Sequence, residues 1–298
     1  MGSEILFFFE VVVGGLLAGT MYSLVALGFV LIYKATETIN FAQGDILMLG
    51  AFVAFSLIGV LGMDYILGFA LTVVIIAVFG FFLDAVVIRQ IIGQPPFATV
   101  MLTIGIGFIL RGFASIFWGT DIFSFSTPFS GKITEFNGLI ISYVNLSIIV
   151  GTVILVSVLY LFFTFSRIGV AMRASSENQL AAYYMGIPVK FIFSLIWSIS
   201  AATAAIAGVL LAPITLVDTS ISLIGLKAFA AAVLGGFGSI PGAIVGGIII
   251  GIVEQLCGTY ENYLFGGIRE ISAYLVLILT LIIYPRGLFS DKAEVKKV

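Results

Sequence analysis

An all-α polytopic membrane protein is the fold class this sequence predicts, and three observations predict it. Of 298 residues, 61% are hydrophobic and 9% are charged, and mean hydropathy is +1.25; a soluble domain is nearer half apolar and a quarter charged. Apolar runs of the ~20 residues a helix needs to cross a bilayer recur along the whole chain. The basic residues gather in alternate segments between those runs. The expected architecture is one transmembrane domain over 1–298 with about eight to nine transmembrane helices, one of them short or broken. The N-terminus is expected outside and the C-terminus in the cytoplasm.

The runs lie at roughly 10–33, 45–61, 65–88, 97–118, 143–165, 190–212, 241–257 and 269–284. A ninth, at about 222–236, is rich in Ala and carries Lys227; it reads as a full span, a broken helix or a re-entrant segment. With nine crossings, the cytoplasmic segments hold Lys34, Arg89, Arg167, Arg173, Lys190, Arg286, Lys292, Lys296 and Lys297, against Arg111, Lys132 and Arg269 opposite. That bias follows the positive-inside rule and favours a crossing at 222–236. The segment 119–142 is then an external loop, in which Phe123, Phe125 and Pro128 suggest a partly amphipathic cap. The segment 166–190 is a cytoplasmic loop. No loop is long enough for a soluble domain, so any receptor for ligand lies in another chain, and any energy source in another chain or a gradient.

The composition also excludes function classes. A net charge of −2 gives no sign of nucleic-acid binding. With no His and a single cysteine, Cys257, an intrachain disulfide is impossible and nothing points to a metal or other cofactor. An intramembrane enzyme would need a nucleophile–base or metal constellation that this chain does not offer. No GxxxxGK[ST] occurs, so ATP hydrolysis by a P-loop is excluded for this chain itself.

Four features carry the chemistry. The first is Ile39-Asn40-Phe41-Ala42-Gln43-Gly44-Asp45, a polar interruption between the first two runs. Two amides and a carboxylate beside a bilayer need protein or water around them. The stretch reads either as an ordinary loop near the cytoplasmic face, with Asn40 and Asp45 as helix caps, or as a discontinuous helix lining a pathway. Asn40, Gln43, Gly44 and Asp45 are candidate pore or gate residues. The second is Ser176-Glu177-Asn178-Gln179, which matches a capping box with Ser176 as N-cap, followed by a two-turn helix that Gly186 and Pro188 end. Exposed Leu180, Tyr183, Tyr184 and Met185 would suit a protein groove. The third is Gly235-Gly236-Phe237-Gly238-Ser239-Ile240-Pro241-Gly242, a second glycine-rich break, followed by GxxxG spacings at Gly242/Gly246 and Gly247/Gly251 that allow close helix approach. Gly235, Gly236, Gly238 and Gly242 join the gate candidates. The fourth is the intramembrane charges: Lys227 and Glu254 as a candidate ion pair, Arg269 and Glu270, and Asp84 and Arg111, expected near helix ends and either snorkelling or paired locally.

These residues resemble a family. Ile39 to Asp45 is similar to the NFA(H/Q)G(D/E) motif of LivH-type branched-chain amino acid ABC transporter permeases. The likeness continues through Arg173-Ala174-Ser175-Ser176-Glu177-Asn178, Met185-Gly186-Ile187, Gly208-Val209-Leu210 and Lys227 to Gly236. It then takes in Gly238-Ser239-Ile240-Pro241-Gly242-Ala243 and Pro285-Arg286-Gly287-Leu288-Phe289. The resemblance implies a multi-pass permease domain in a bacterial or archaeal plasma membrane, part of an ATP-driven importer. Its implied partners are a second homologous permease as a heterodimer, two cytoplasmic ABC ATPases and an external substrate-binding protein. It also implies that 166–190 is the coupling loop, with Arg173, Ser176, Glu177, Asn178, Ala181, Ala182 and Gly186 contacting the ATPase. The importer form EAA-x3-G is met by Ala181, Ala182 and Gly186, but Leu180 stands in place of the acid. The alternatives are a permease for urea or short amides in the same family, and a gradient-driven carrier or channel.

Overall fold

In the computed structural model, residues 2–91, 94–136, 139–261 and 265–289 are described. Lys292, Lys296 and Lys297 lie outside them. Helix α1 (Gly2–Thr36) has Lys34 in its last turn. Glu37 closes it in the left-handed region, at φ +53°, with its N–H on the Tyr33 carbonyl at 2.8 Å. After a short turn, α2 (Gln43–Ala54) runs on through a π-helical turn, Phe55–Val60. Helix α3 (Tyr65–Val86) starts on Asp64, whose carboxylate accepts from the N–H groups of Ile66 and Leu67. Helix α4 (Pro96–Trp118) starts on a proline, whose missing N–H would have had no partner in a first turn. The loop that follows holds a hairpin of β1 (Ile133–Phe136) and β2 (Leu139–Ser142), a strand pair not expected from the sequence.

Helix α5 (Tyr143–Phe165) is capped by Ser142 and α6 (Arg167–Glu177) by Ser166. The short α7 (Gln179–Tyr184) and the long α8 (Val189–Thr215) follow. A 3-10 turn, Thr219–Leu223, leads into α9 (Ile224–Gly235). Then come α10 (Ile240–Thr259), capped by Ser239, and α11 (Ile268–Ile283). Seven of these are long and apolar enough to cross a membrane, among the described residues: α1, α2 with its π turn, α3, α4, α5, α8 and α10. The run at 222–236 forms the 12-residue α9, about 18 Å at 1.5 Å per residue and too short to cross alone.

Buried helices α1, α2, α8, α9 and α10 form the centre, and α3, α4 and α5 flank them. Glycine sets the spacing around α10. A Cβ on Gly242 or Gly246 would strike the backbone of α9 at Gly235 or Ala231, whereas one on Gly247 or Gly251 would strike α1 at Ser23 or Gly19. The two GxxxG pairs thus serve two different neighbours. One end of the bundle carries α6, α7, the α9–α10 turn and residues 284–289. There Leu288 N–H bonds to Leu234 O at 2.9 Å, and Arg173 lies beside Lys34. The other end carries the hairpin loop, held by the Phe123–Val217 bridge and by stacking of Phe123 on Phe55.

Candidate functional site

The polar break at 39–45 runs from the end of the bundle into its interior. Gln43 Nε2 donates to the Ser200 carbonyl at 3.2 Å. Ser200 lies about 16 Å along α8 from its first residue at 1.5 Å per residue, roughly half of a ~30 Å hydrocarbon core. Helix α2 therefore begins near mid-depth, because 38–42 fold back inward after α1 has ended. The loop thus leaves the end of the bundle, where Thr38 and Ile39 line cavities shared with Gln179 and with Arg286, and runs inward to the start of α2.

Two amides hold that fold-back. Asn40 Oδ1 accepts from Ala42 N–H at 3.1 Å, and Asn40 Nδ2 donates to Gln43 Oε1 at 3.2 Å. Ser200 Oγ bridges Gln43 Oε1 (3.1 Å) and Gly28 O (2.9 Å). Both amide side chains are fully buried, so neither faces an open pathway in this conformation. Gly28 carries no Cβ because one there would collide with the Gln43 amide. Gly44 likewise lets α2 sit against Ser222 O and Gly225 at the start of α9. The first helix break and the second glycine-bearing element thus touch at mid-depth.

Asp45 and Asn40 are not helix caps. The N-cap position of α2 is Ala42, which makes no side-chain capping bond. Asp45 instead meets Arg111 across 66 residues, Nε to Oδ1 at 2.5 Å, and the Arg111 guanidinium also lies over the Phe108 ring at 5.6 Å. The local pairing expected for Arg111 is therefore wrong: the middle of α4 packs on α2, and a Cβ on Gly107 would overlap the Asp45 carboxylate. Asp84 does sit near a helix end, accepting from Ser194 Oγ at 2.7 Å with Arg89 at 3.5 Å.

The turn Gly235 to Gly242 lies far from Asn40 in sequence but shares an aromatic cluster with the first break. Phe229 packs on Phe41 at 5.2 Å and on Phe237 at 5.6 Å, and Phe237 packs on Tyr33 at 4.7 Å. Gly236, at φ +97°, ends α9 and contacts Gly287. A cavity of about 490 Å³ opens here, lined by Ile39, Phe229, Val233, Phe237, Gly238 and Arg286 among others. Gly235 and Gly242 face each other rather than the cavity.

Lys227 Nζ stands 2.8 Å from Glu254 Oε1 and 3.2 Å from Glu270 Oε2. Arg269 Nε is 3.8 Å from Glu254, and the Tyr22 hydroxyl donates to the other Glu254 oxygen. Four helices, α1, α9, α10 and α11, thus meet at one carboxylate. Tyr22 escaped the sequence reading because a lone tyrosine in an apolar run carries no signal of a charged partner.

In the 166–190 loop, the N-cap of α7 is Asn178, whose Oδ1 accepts from Ala181 N–H at 2.9 Å. Ser176 is not a cap. It lies in the last turn of α6, a helix the sequence reading did not anticipate, and its hydroxyl donates to Arg173 O. The stop is as read: Gly186 sits at φ +83°, with Gly186 N–H on Tyr183 O and Ile187 N–H on Ala182 O, both at 3.0 Å, a Schellman pattern. Ala182 is buried on the inner side of α7, while Tyr184 and Met185 are 81% and 83% exposed. Arg173, Glu177, Asn178 and Ala181 lie on the outward side or rim of the same elbow.

Spanning helices, a break whose helix α2 begins inside the bundle against the start of α9, and a projecting apolar elbow at one end fit a polytopic transport protein. A family described as branched-chain amino acid transport system, permease component, matches residues 11–284. The chain belongs to that family. The high-affinity branched-chain amino acid transport permease BraD of Pseudomonas aeruginosa is 33% identical over 310 residues, covering 99% of each chain. LivH of Escherichia coli K12 is 32% identical over the whole of both chains. A probable LivH of Methanocaldococcus jannaschii is 29% identical over 92% of this chain and 90% of its own. Among solved structures, PsaBC from Streptococcus pneumoniae in complex with Fab shares the fold, with a TM-score of 0.50 at 17% identity, covering 96% of this chain and 97% of that one.

Proposed function

We propose that this chain is the membrane-spanning permease subunit of an ATP-driven importer for branched-chain, aliphatic amino acids, forming the translocation pathway with a second homologous permease. The observation that carries this reading is the end-to-end match, at about a third identity, to two permeases named for that transport. With no P-loop in the sequence, two cytoplasmic ATPases supply the energy, and an external binding protein delivers the substrate. The end bearing α6 and α7 faces the cytoplasm, because Lys34, Arg89, Arg167, Arg173, Lys190 and Arg286 all belong to it.

The elbow of α6 and α7 is the coupling element. Leu180, Tyr183, Tyr184 and Met185 form an exposed apolar knob of the kind that seats in a partner's groove. ATP drives the cycle only if it binds the inward- and outward-open arrangements with different affinity. The two breaks are where the spans yield: Gly44 against Gly225 and Gly235 against Gly242 are bare backbone contacts that slide more easily than interlocked side chains. Asn40 and Gln43 act as a hinge lock rather than as a substrate grip.

The test is uptake by the complete transporter, both permeases with ATPases and binding protein, in proteoliposomes. Leucine, isoleucine and valine should accumulate only with internal ATP, and ionophores should leave uptake unchanged. Uptake that persists without ATPases and stops with ionophores would make the chain a gradient-driven carrier. Accumulation of short amides, with aliphatic amino acids unable to compete, would move the substrate class.

A further inference from the structure

Among the described residues, Arg111 is a cation within a span that is both ion-paired and partly open to its surroundings. Gly107, on the same helix, abuts Asp45 about 16 Å along α4 from Pro96, and Arg111 follows at about 22 Å, at 1.5 Å per residue. The level of Gly107 coincides with the start of α2. Asp45 is enclosed, but the Arg111 side chain is 36% exposed. A guanidinium facing hydrocarbon within a span is costly, and such groups almost always face a bundle interior or water.

The surroundings of Arg111 on α4 are open, with Phe108, Ile109 and Phe113 exposed. A Cβ on Gly105 or Gly112 would meet no atom within 4 Å, so one strip of the helix surface, about a third of a turn round from the arginine, is bare. Phe108 lies under the guanidinium and is itself largely exposed. A fixed cation beside an exposed aromatic face complements a carboxylate carried next to an aliphatic group. Asp45 fixes the orientation of the guanidinium and leaves its outer N–H groups free to donate.

We infer that the open face of α4 lines the translocation route and that Arg111 receives the carboxylate of the amino acid as it passes. This rests on the reading of the chain as an amino-acid permease. It gives the first polar motif a role its buried amides cannot have: Asp45 aims the arginine, and the arginine meets the substrate.

The test uses the complete reconstituted transporter in a Cys257→Ser background. Gly112→Cys should react with hydrophilic methanethiosulfonates, and the anionic reagent should react about fivefold faster than the cationic one, the effect of one nearby unit charge in water. The preference should vanish in Asp45→Asn/Arg111→Met, a pair that leaves no orphaned charge. That double variant should lower maximal uptake by about tenfold or more, as loss of an interaction made in passage does, with Arg111→Lys recovering part. Gly112→Cys as unreactive as Val78→Cys on the exposed side of α3, equal rates for the two reagents, or full uptake by the double variant would each overturn the assignment. A parent transporter that moves no branched-chain amino acid would instead overturn the permease reading beneath it.

Discussion

Gln43 makes three side-chain hydrogen bonds inside the bundle, and each has a different partner atom: the Ser200 carbonyl, the Ser200 hydroxyl and the Asn40 amide. Gln43→Leu is expected to destabilise the purified transporter by about 1–3 kcal/mol, since it strands buried donors and acceptors. A fall in Tm checks it; an unchanged Tm would show the amide to be idle. Asn40→Ala should lower uptake without loss of assembly, measured by co-purification beside initial rates. The weight of these two residues was legible, because amides between apolar runs demand partners. The partners were not. Ser200 and Gly28 sit in apolar helices where a serine or a glycine is unremarkable, and the pairing of Asp45 with Arg111 joins segments that no spacing rule connects.

The elbow is the element whose local chemistry can be tested separately. Gly186 holds a left-handed conformation that any other residue adopts at a cost of about 1–2 kcal/mol, so Gly186→Ala should weaken coupling more than assembly. Met185→Asp, which puts a charge on an exposed apolar knob, should abolish stimulation of ATP hydrolysis by loaded binding protein while the permease pair still forms. Stimulation at the parent level would remove α7 from the coupling surface. The stop of α7 could be read because glycine and proline are rare, position-specific signals. Its start was misread because Ser176 and Asn178 are both good caps, and only the presence of α6, ending at Glu177, decides between them.

At the scale of the whole molecule, four helices converge on Glu254, and the energetics there are collective. Removing Lys227 alone leaves a carboxylate with a weaker, more distant arginine. Lys227→Met should destabilise by about 3–5 kcal/mol, whereas Lys227→Met/Glu254→Gln should be considerably milder, as expected for a buried pair. Thermal unfolding of the two variants gives the comparison, and equal losses would show that the charges act independently. The number and placement of most helices were legible from hydropathy alone. The depth at which α2 begins was not, since hydropathy records how apolar a run is and not where the chain re-enters the bundle.

The packing of α1 on α10 also sets a timetable. Ser23 donates to Ile244 O across 221 residues of sequence. At a synthesis rate of about 5–20 residues per second, the first helix waits roughly 10–40 s for the partner that covers its glycines. Through that interval Gly15, Gly19 and Ser23 stand against lipid or against whatever protein shelters nascent helices. Chains stalled before α10 would therefore leave an adhesive, small-residue surface uncovered, and quality control in the cell has this edge to recognise.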